Sequence, residues 1–278
     1  MTKNDLVMPI LKWVGGKRQL LPNLVPMLPK KINTYCEPFL GGGALLFNLQ
    51  PRRALINDIN AELILVYETI RDDVENLISA LSEYKNDAET FYAVRDLDRD
   101  KVKYATLSKI EKAARIIYLN KTCYNGLYRV NNAGEFNTPF GNYKNPNIVN
   151  APVLRAVSNY FNSADITITS VDYAEVLSSI SPKTFVYLDP PYDPISDTSN
   201  FTGYIKGGFN RAEQIRLRDC CNELNERKIK FMLSNSVTDF ILELYANYNI
   251  TTVKAKRAVN SVASKRGNVE EVVIRNYG

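Results

Sequence analysis

The chain has 278 residues, 45% of them apolar, and a formal net charge of +5, which suits one full α/β domain carrying an inserted lobe. With no histidine, and with four cysteines (Cys36, Cys123, Cys220, Cys221) that lack metal-ligand spacing, imidazole catalysis and the usual zinc sites are excluded. Met1 to Ile10 lacks the apolar core of a signal peptide and no run reaches membrane-span length, so a cytoplasmic, reduced protein with no membrane partner is expected.

In chain order, Thr34 to Gly43 runs from a short β-type stretch into Phe39-Leu-Gly-Gly-Gly43, and Ala44 to Leu49 reads as a helix: strand, turn, helix. A second strand, Arg53 to Asn57, ends at Asp58. Helical periodicity then holds from Ala61 to Asn120, with Leu63, Val66, Tyr67 and Ile70 on one face and Ile110, Ala113, Ala114 and Ile117 on another. Leu127 to Thr138 reads as a β-hairpin turning at Asn132-Ala133-Gly134. Alternation resumes with strand 165–169, helix 173–179, strand 184–188, helix 211–227, strand 230–233 and late strands at 250–256 and 270–275. This pattern predicts a largely parallel, doubly wound sheet interrupted by a helical lobe.

Charge is distributed unevenly over that lobe. Residues 60–98 carry ten acids against three bases, whereas residues 99–147 carry nine bases against three acids. A basic middle segment suits a nucleic-acid reader, although charge alone reads first as a solvated face with nothing bound.

Three motifs carry chemistry, each with a plain structural alternative. The glycine turn after the first strand allows backbone to approach a ligand, or is a tight connection. Asp58, at the end of the second strand, suits a ribose diol; the alternative is that Asp58 or Asn60 caps the following helix, and the two roles can coexist on neighbouring residues. Asp189-Pro-Pro-Tyr192 ends the apolar strand 184–188. Two prolines remove two amide donors, leaving carbonyls and a carboxylate to accept an amino group, with Tyr192 free to stack on a ring; the alternative is an ordinary Pro-Pro turn.

Together, Lys12-Trp-Val-Gly-Gly-Lys17, Glu37-Pro-Phe-Leu-Gly-Gly-Gly43, Asn57-Asp58-Ile-Asn60 and Asp189-Pro-Pro-Tyr192 stand in the order seen in Dam-type (alpha-order) adenine-N6 DNA methyltransferases. The chain resembles that family over nearly its whole length. The resemblance implies a Rossmann-like methyltransferase sheet formed by residues 1–60 and 150–278, and an inserted helical and β-hairpin target-recognition domain over 61–149. It implies S-adenosylmethionine as cofactor, S-adenosylhomocysteine as product and no metal. Trp13, Lys17, Glu37, Phe39, Gly41, Gly43, Asp58 and Asp189 are the implied cofactor residues, and Asp189, Pro190, Pro191 and Tyr192 the catalytic ones.

Tyr124-Asn-Gly-Leu127-Tyr-Arg129-Val-Asn131 and Gly134 to Tyr143 look like the family's base-reading hairpin for GATC in double-stranded DNA. Arg129 has the chemistry to read guanine O6 and N7, and Leu127 and Pro139 to touch a thymine methyl. Lys12, Tyr124, Asn125, Asn131 and Tyr143 complete the implied DNA set; Asn142, basic in some relatives, departs from the pattern.

The implied reaction extrudes adenine beside Asp189 and Tyr192, holds N6 by the Asp189 carboxylate and the Pro190 carbonyl, and transfers methyl in line. No covalent intermediate is needed, so the cysteines are read as structural. Residues 193–209 read as a lid or as a disordered connection, and 258–267, with Lys265 and Arg266, as a phosphate-contacting loop. A monomer is expected. A solitary methylase, a phage enzyme and the protective half of a restriction-modification pair all stay open; the last would bring a restriction endonuclease encoded nearby, without a stable complex. An RNA or protein amide methyltransferase is the enzymatic rival, disfavoured by the hairpin. An idle DNA-binding module is the other rival, disfavoured by the complete motifs.

Overall fold

The computed structural model describes residues 3–195, 208–256 and 268–278. Most of the segment 193–209 and all of 258–267, with Lys265 and Arg266, lie outside the described residues. The first elements are α1 (Leu21–Leu24), β1 (Thr34–Glu37), α2 (Ala44–Leu49), β2 (Arg53–Asn57), α3 (Ala61–Asp72), α4 (Val74–Ser82), α5 (Ala88–Arg95), α6 (Lys101–Thr106) and α7 (Lys109–Thr122). They are followed by α8 (Ala151–Ser163), β3 (Asp165–Thr169), α9 (Tyr173–Ser179), β4 (Thr184–Leu188), α10 (Arg211–Glu226), β5 (Lys230–Ser236), α11 (Asp239–Leu244), β6 (Asn249–Lys256) and β7 (Asn268–Arg275).

Every predicted strand and helix is present. Helix α8 was not anticipated, although Val153, Val157, Tyr160 and Phe161 keep helical spacing and are buried. Its Pro152 stands in the first turn, where a missing N–H costs nothing.

The chain divides into two compact units, one of Met1–Gly16, Gly41–Gln50 and Asn60–Ser170, the other of Lys17–Leu40, Pro51–Ile59 and Val171–Gly278. In the first, α7 packs on α3, α4 and α5. Its start is set by a reciprocal capping box between Ser108 and Glu111. Arg115 of α7 is only 1% exposed, and its guanidinium meets the Asp98 carboxylate at 2.7 Å and the carbonyls of Val94 and Arg95. Arg99 is likewise bound to Glu135 and to the Phe136 carbonyl. Two of the nine bases that made residues 99–147 look basic therefore serve the fold.

In the second unit six strands lie in the order β2-β1-β4-β5-β7-β6. The first four are parallel, while β7 runs antiparallel to both β5 and β6. The sheet is thus mostly parallel, as expected, with an antiparallel edge. Strand β4 is buried along its whole length, which explains its unbroken apolar run. The C-terminal ends of β1, β2, β4 and β5 carry Glu37, Asp58, Asp189 and Ser236, the end of such a sheet where ligands bind. Among the described residues no helix is long and apolar enough to cross a membrane.

Candidate active site

Asp189 follows the last residue of β4, and its carboxylate Oδ1 lies 2.8 Å from Lys17 Nζ. Both side chains are largely shielded, 6% exposed for Lys17 and 19% for Asp189. Burial pushes the Asp189 carboxyl up to about 6; Lys17 opposes the rise and Glu271 adds to it. The same ammonium stands 4.5 Å from the centre of the Tyr192 ring, a cation–π contact.

The Tyr192 hydroxyl has a partner of its own: it donates to Glu271 of β7 at 2.6 Å, a short bond to a charged acceptor. Burial, with Asp189 and Glu271 close by, holds the phenol pKa well above its ordinary value, so Tyr192 remains a donor at any working pH. The Pro-Pro segment is not a bare row of acceptors, since the Pro191 carbonyl accepts from Gln214 Nε2 at 2.8 Å. The carbonyl of Pro190 stands between that anchored group and Asp189 in the chain.

The predicted cofactor residues fall in both units. In the second, Glu37 is buried and accepts from the Tyr35 hydroxyl at 2.8 Å, and Phe39 packs against Tyr173 and Phe209. Asn57 ties this region together by donating to the carbonyls of Pro38 and Val171 and accepting from the Val171 N–H. The choice between capping and ligand duty at Asp58 is decided in part: the cap of α3 is Asn60, whose Oδ1 accepts from the Leu63 N–H at 3.1 Å.

In the first unit Trp13 stacks on Tyr128, ring centroids 5.0 Å apart, and lies against the glycine turn. Gly41 has φ +49, and a Cβ there would stand 2.9 Å from the indole Cδ1; the Gly43 backbone is also left-handed. Gly41→Ala is expected to cost about 1–3 kcal/mol from the left-handed strain alone. Trp13 is the chain's one tryptophan, so a urea titration followed by its emission checks this; an unchanged midpoint and spectrum would refute it.

The hairpin is present as short antiparallel pairings, Val130 with Phe136 and Cys123 with Phe140. Arg129 is exposed; its Nε donates to Asn137 Oδ1 at 2.7 Å and its Nη2 to the Asn137 carbonyl at 3.5 Å, which ties the guanidinium to the facing strand of the hairpin. Asn131 is engaged in the turn: Oδ1 accepts from the N–H groups of Ala133 and Glu135, and Nδ2 donates to Glu135. Tyr143 Oη accepts from the Asn125 N–H at 2.9 Å, and both Tyr124 and Tyr143 are exposed. Asn125 and Asn142 have left-handed backbones, which asparagine tolerates better than most residues. Lys12 is exposed, its backbone is clasped by the Asn120 amide, and its stem covers Gly126, whose φ is +65.

The D12 class N6 adenine-specific DNA methyltransferase family matches the chain over residues 13–259. The chain belongs to this family. It is 43% identical over 281 residues to the Type II methyltransferase M1.LlaDCHI of Lactococcus lactis subsp. cremoris, covering 100% of this chain and 99% of that one. It is 42% identical over 291 residues to the Type II methyltransferase M.MjaIII of Methanocaldococcus jannaschii, covering 98% and 99%. It is 33% identical over 267 residues to the DNA adenine methylase of Escherichia coli K12, covering 95% and 93%. The protein is an adenine-specific DNA methyltransferase, as its motifs implied. Sequence reading missed Glu271, Asn137 and Gln214 in this methyltransferase. Only Glu271 left a signal, a carboxylate within the apolar strand β7.

Proposed function

We propose that this methyltransferase transfers the methyl group of S-adenosylmethionine to N6 of adenine in duplex DNA at GATC. The adenine is extruded from the helix, residues 61–149 read the sequence, and residues 1–60 with 150–278 carry the chemistry. The observation that carries the reading is the Asp189 carboxylate at the end of a central parallel strand, followed by two prolines and a tethered tyrosine.

S-adenosylmethionine supplies an electrophilic methyl on a positively charged sulfonium. Its positive groups and ribose diol call for acceptors, and Glu37, Asp58 and Asp189 at the ends of β1, β2 and β4 are a fitting set. Lys17 occupies Oδ1 of Asp189, which leaves Oδ2 and the Pro190 carbonyl to take the two N6 hydrogens. Those bonds would favour a tetrahedral nitrogen able to take the methyl; as the N–C bond formed the S–CH3 bond would break, leaving S-adenosylhomocysteine, and the surplus N6 proton would pass to the Asp189 carboxylate and on to water. The Tyr192 ring, held by Glu271, offsets part of the unstacking cost of the extruded base.

Arg129, steadied by Asn137, reads guanine, with Leu127 and Pro139 against a thymine methyl and Tyr124, Asn125, Tyr143 and Lys12 around the opened pair. Asn131 shapes the turn that presents them.

The test is transfer of labelled methyl to two duplexes identical except for GATC or GTAC. N6-methyladenine in GATC alone is the expected result, and Arg129→Ala should narrow that preference by about 1–3 kcal/mol. Equal transfer to both duplexes, or transfer to neither with cofactor bound, removes the GATC assignment.

A further inference from the structure

Behind Tyr192 lies a second group of polar residues with no part in the chemistry described so far. Gln214 of α10 and Asn235 of β5 are both fully buried. Gln214 Nε2 donates to the Pro191 carbonyl at 2.8 Å, and its Oε1 accepts from Asn235 Nδ2 at 3.1 Å. Asn235 Oδ1 then accepts from the Asp193 N–H at 3.1 Å and the Ser236 N–H at 2.9 Å. The Ser236 hydroxyl donates to the Asp193 carbonyl at 2.6 Å. The Asp193 carboxylate, itself buried, is bound by Thr238 Oγ1 at 2.8 Å and Arg211 Nε at 3.2 Å.

This relay has one consistent direction. A carbonyl faces one end, so Gln214 must offer its NH2 there and its oxygen inward. Asn235 must then offer its NH2 to Gln214 and its oxygen to the two backbone N–H groups. Flipping either amide sets donor against donor or acceptor against acceptor inside the protein, where unpaired polar groups are expensive. The peptide groups on both sides of Tyr192 are thereby held: the carbonyl before it and the N–H after it. Pro190 and Pro191 have no N–H, so carbonyls are the only backbone handles in that part of the loop. Gln214 uses the second of them, and the first is the acceptor assigned above to N6.

We propose that Gln214 and Asn235 are positioning residues for methyl transfer, acting through the Pro191–Asp193 backbone to hold the Tyr192 ring and the Pro190 carbonyl where they align N6 with the transferred methyl. This rests on the function proposed above. In-line transfer is sensitive to displacement, a misplacement of about 1 Å costing about a hundredfold in rate.

The test uses Gln214→Met, which keeps the side-chain volume and loses both hydrogen bonds, beside Leu224→Ala, a core truncation on the same helix away from the relay. Rates are taken at a temperature where both variants are folded by circular dichroism. Gln214→Met is expected to lose about thirtyfold or more in single-turnover transfer rate, with cofactor KM and DNA affinity nearly unchanged and Leu224→Ala close to the parent. Adding Asn235→Leu to Gln214→Met should cost little more, because one relay is already broken. A Gln214→Met rate no lower than that of Leu224→Ala, or a loss confined to KM, overturns the positioning role while leaving the function intact. An intact parent protein inactive on every DNA overturns the function first.

Discussion

Replacing Asp189 by alanine lowers the turnover of methyl transfer by about a thousandfold or more, the scale seen when a preorganised group that meets developing charge is removed. In the proposed reaction the carboxylate would be the charged acceptor for N6, and the anchored Pro191 carbonyl has no spare freedom to replace it. Cofactor binding should weaken less than turnover, since Asp58 and Glu37 stand on other strands. Single-turnover transfer from labelled S-adenosylmethionine checks this, and a folded variant within tenfold of the parent rate would remove Asp189 from the chemistry. The same carboxyl governs the acid side of the pH profile. On that reading the ionised form is the strong acceptor for N6, and burial pushes the group up to about 6, so turnover should be level at neutral pH and half-lost near the value that titration sets. Glu271→Gln removes one upward influence and moves that limb to lower pH. Lys17→Met removes the downward one and moves it higher. Shifts in the opposite senses would show that another group titrates.

Asp98→Ala should destabilise the protein by about 3–5 kcal/mol, the range for removing one partner of a buried ion pair. Arg115, 1% exposed, would keep two carbonyl acceptors but lose its counter-charge. The Phe136 N–H, which donates to Asp98 at 2.7 Å, would lose its acceptor. Because Phe136 is paired with Val130 in the hairpin, loosening it should also disturb Arg129 next to that pairing. Urea unfolding of Asp98→Ala measures the first effect, and the ratio of transfer to GATC and GTAC duplexes at low temperature measures the second. A stability loss under about 1 kcal/mol, the worth of an exposed pair, would show that Asp98 behaves as a surface charge.

Local order was legible because local causes set it. The apolar run of β4 reads as a fully buried strand, the Phe39 to Gly43 turn as a break between strand and helix, and the Asp189 tetrapeptide as a strand end rich in acceptors. The four ordered motifs carried the family, and with it adenine-specific DNA methyl transfer, because each keeps its residues contiguous. Partnerships between distant residues were not legible. Tyr192 and Glu271 meet across 79 positions, and Asp193 and Asn235 across 42. Counting charge likewise overstated the basic face, since burial turned Arg115 inward to Asp98. Sequence by itself determined which residues could do the chemistry, through backbone propensity and the donors and acceptors each carries. Tertiary structure decided which of them are already bound, how far Asp189 is desolvated, and what holds its loop, because those depend on packing between elements far apart in the chain.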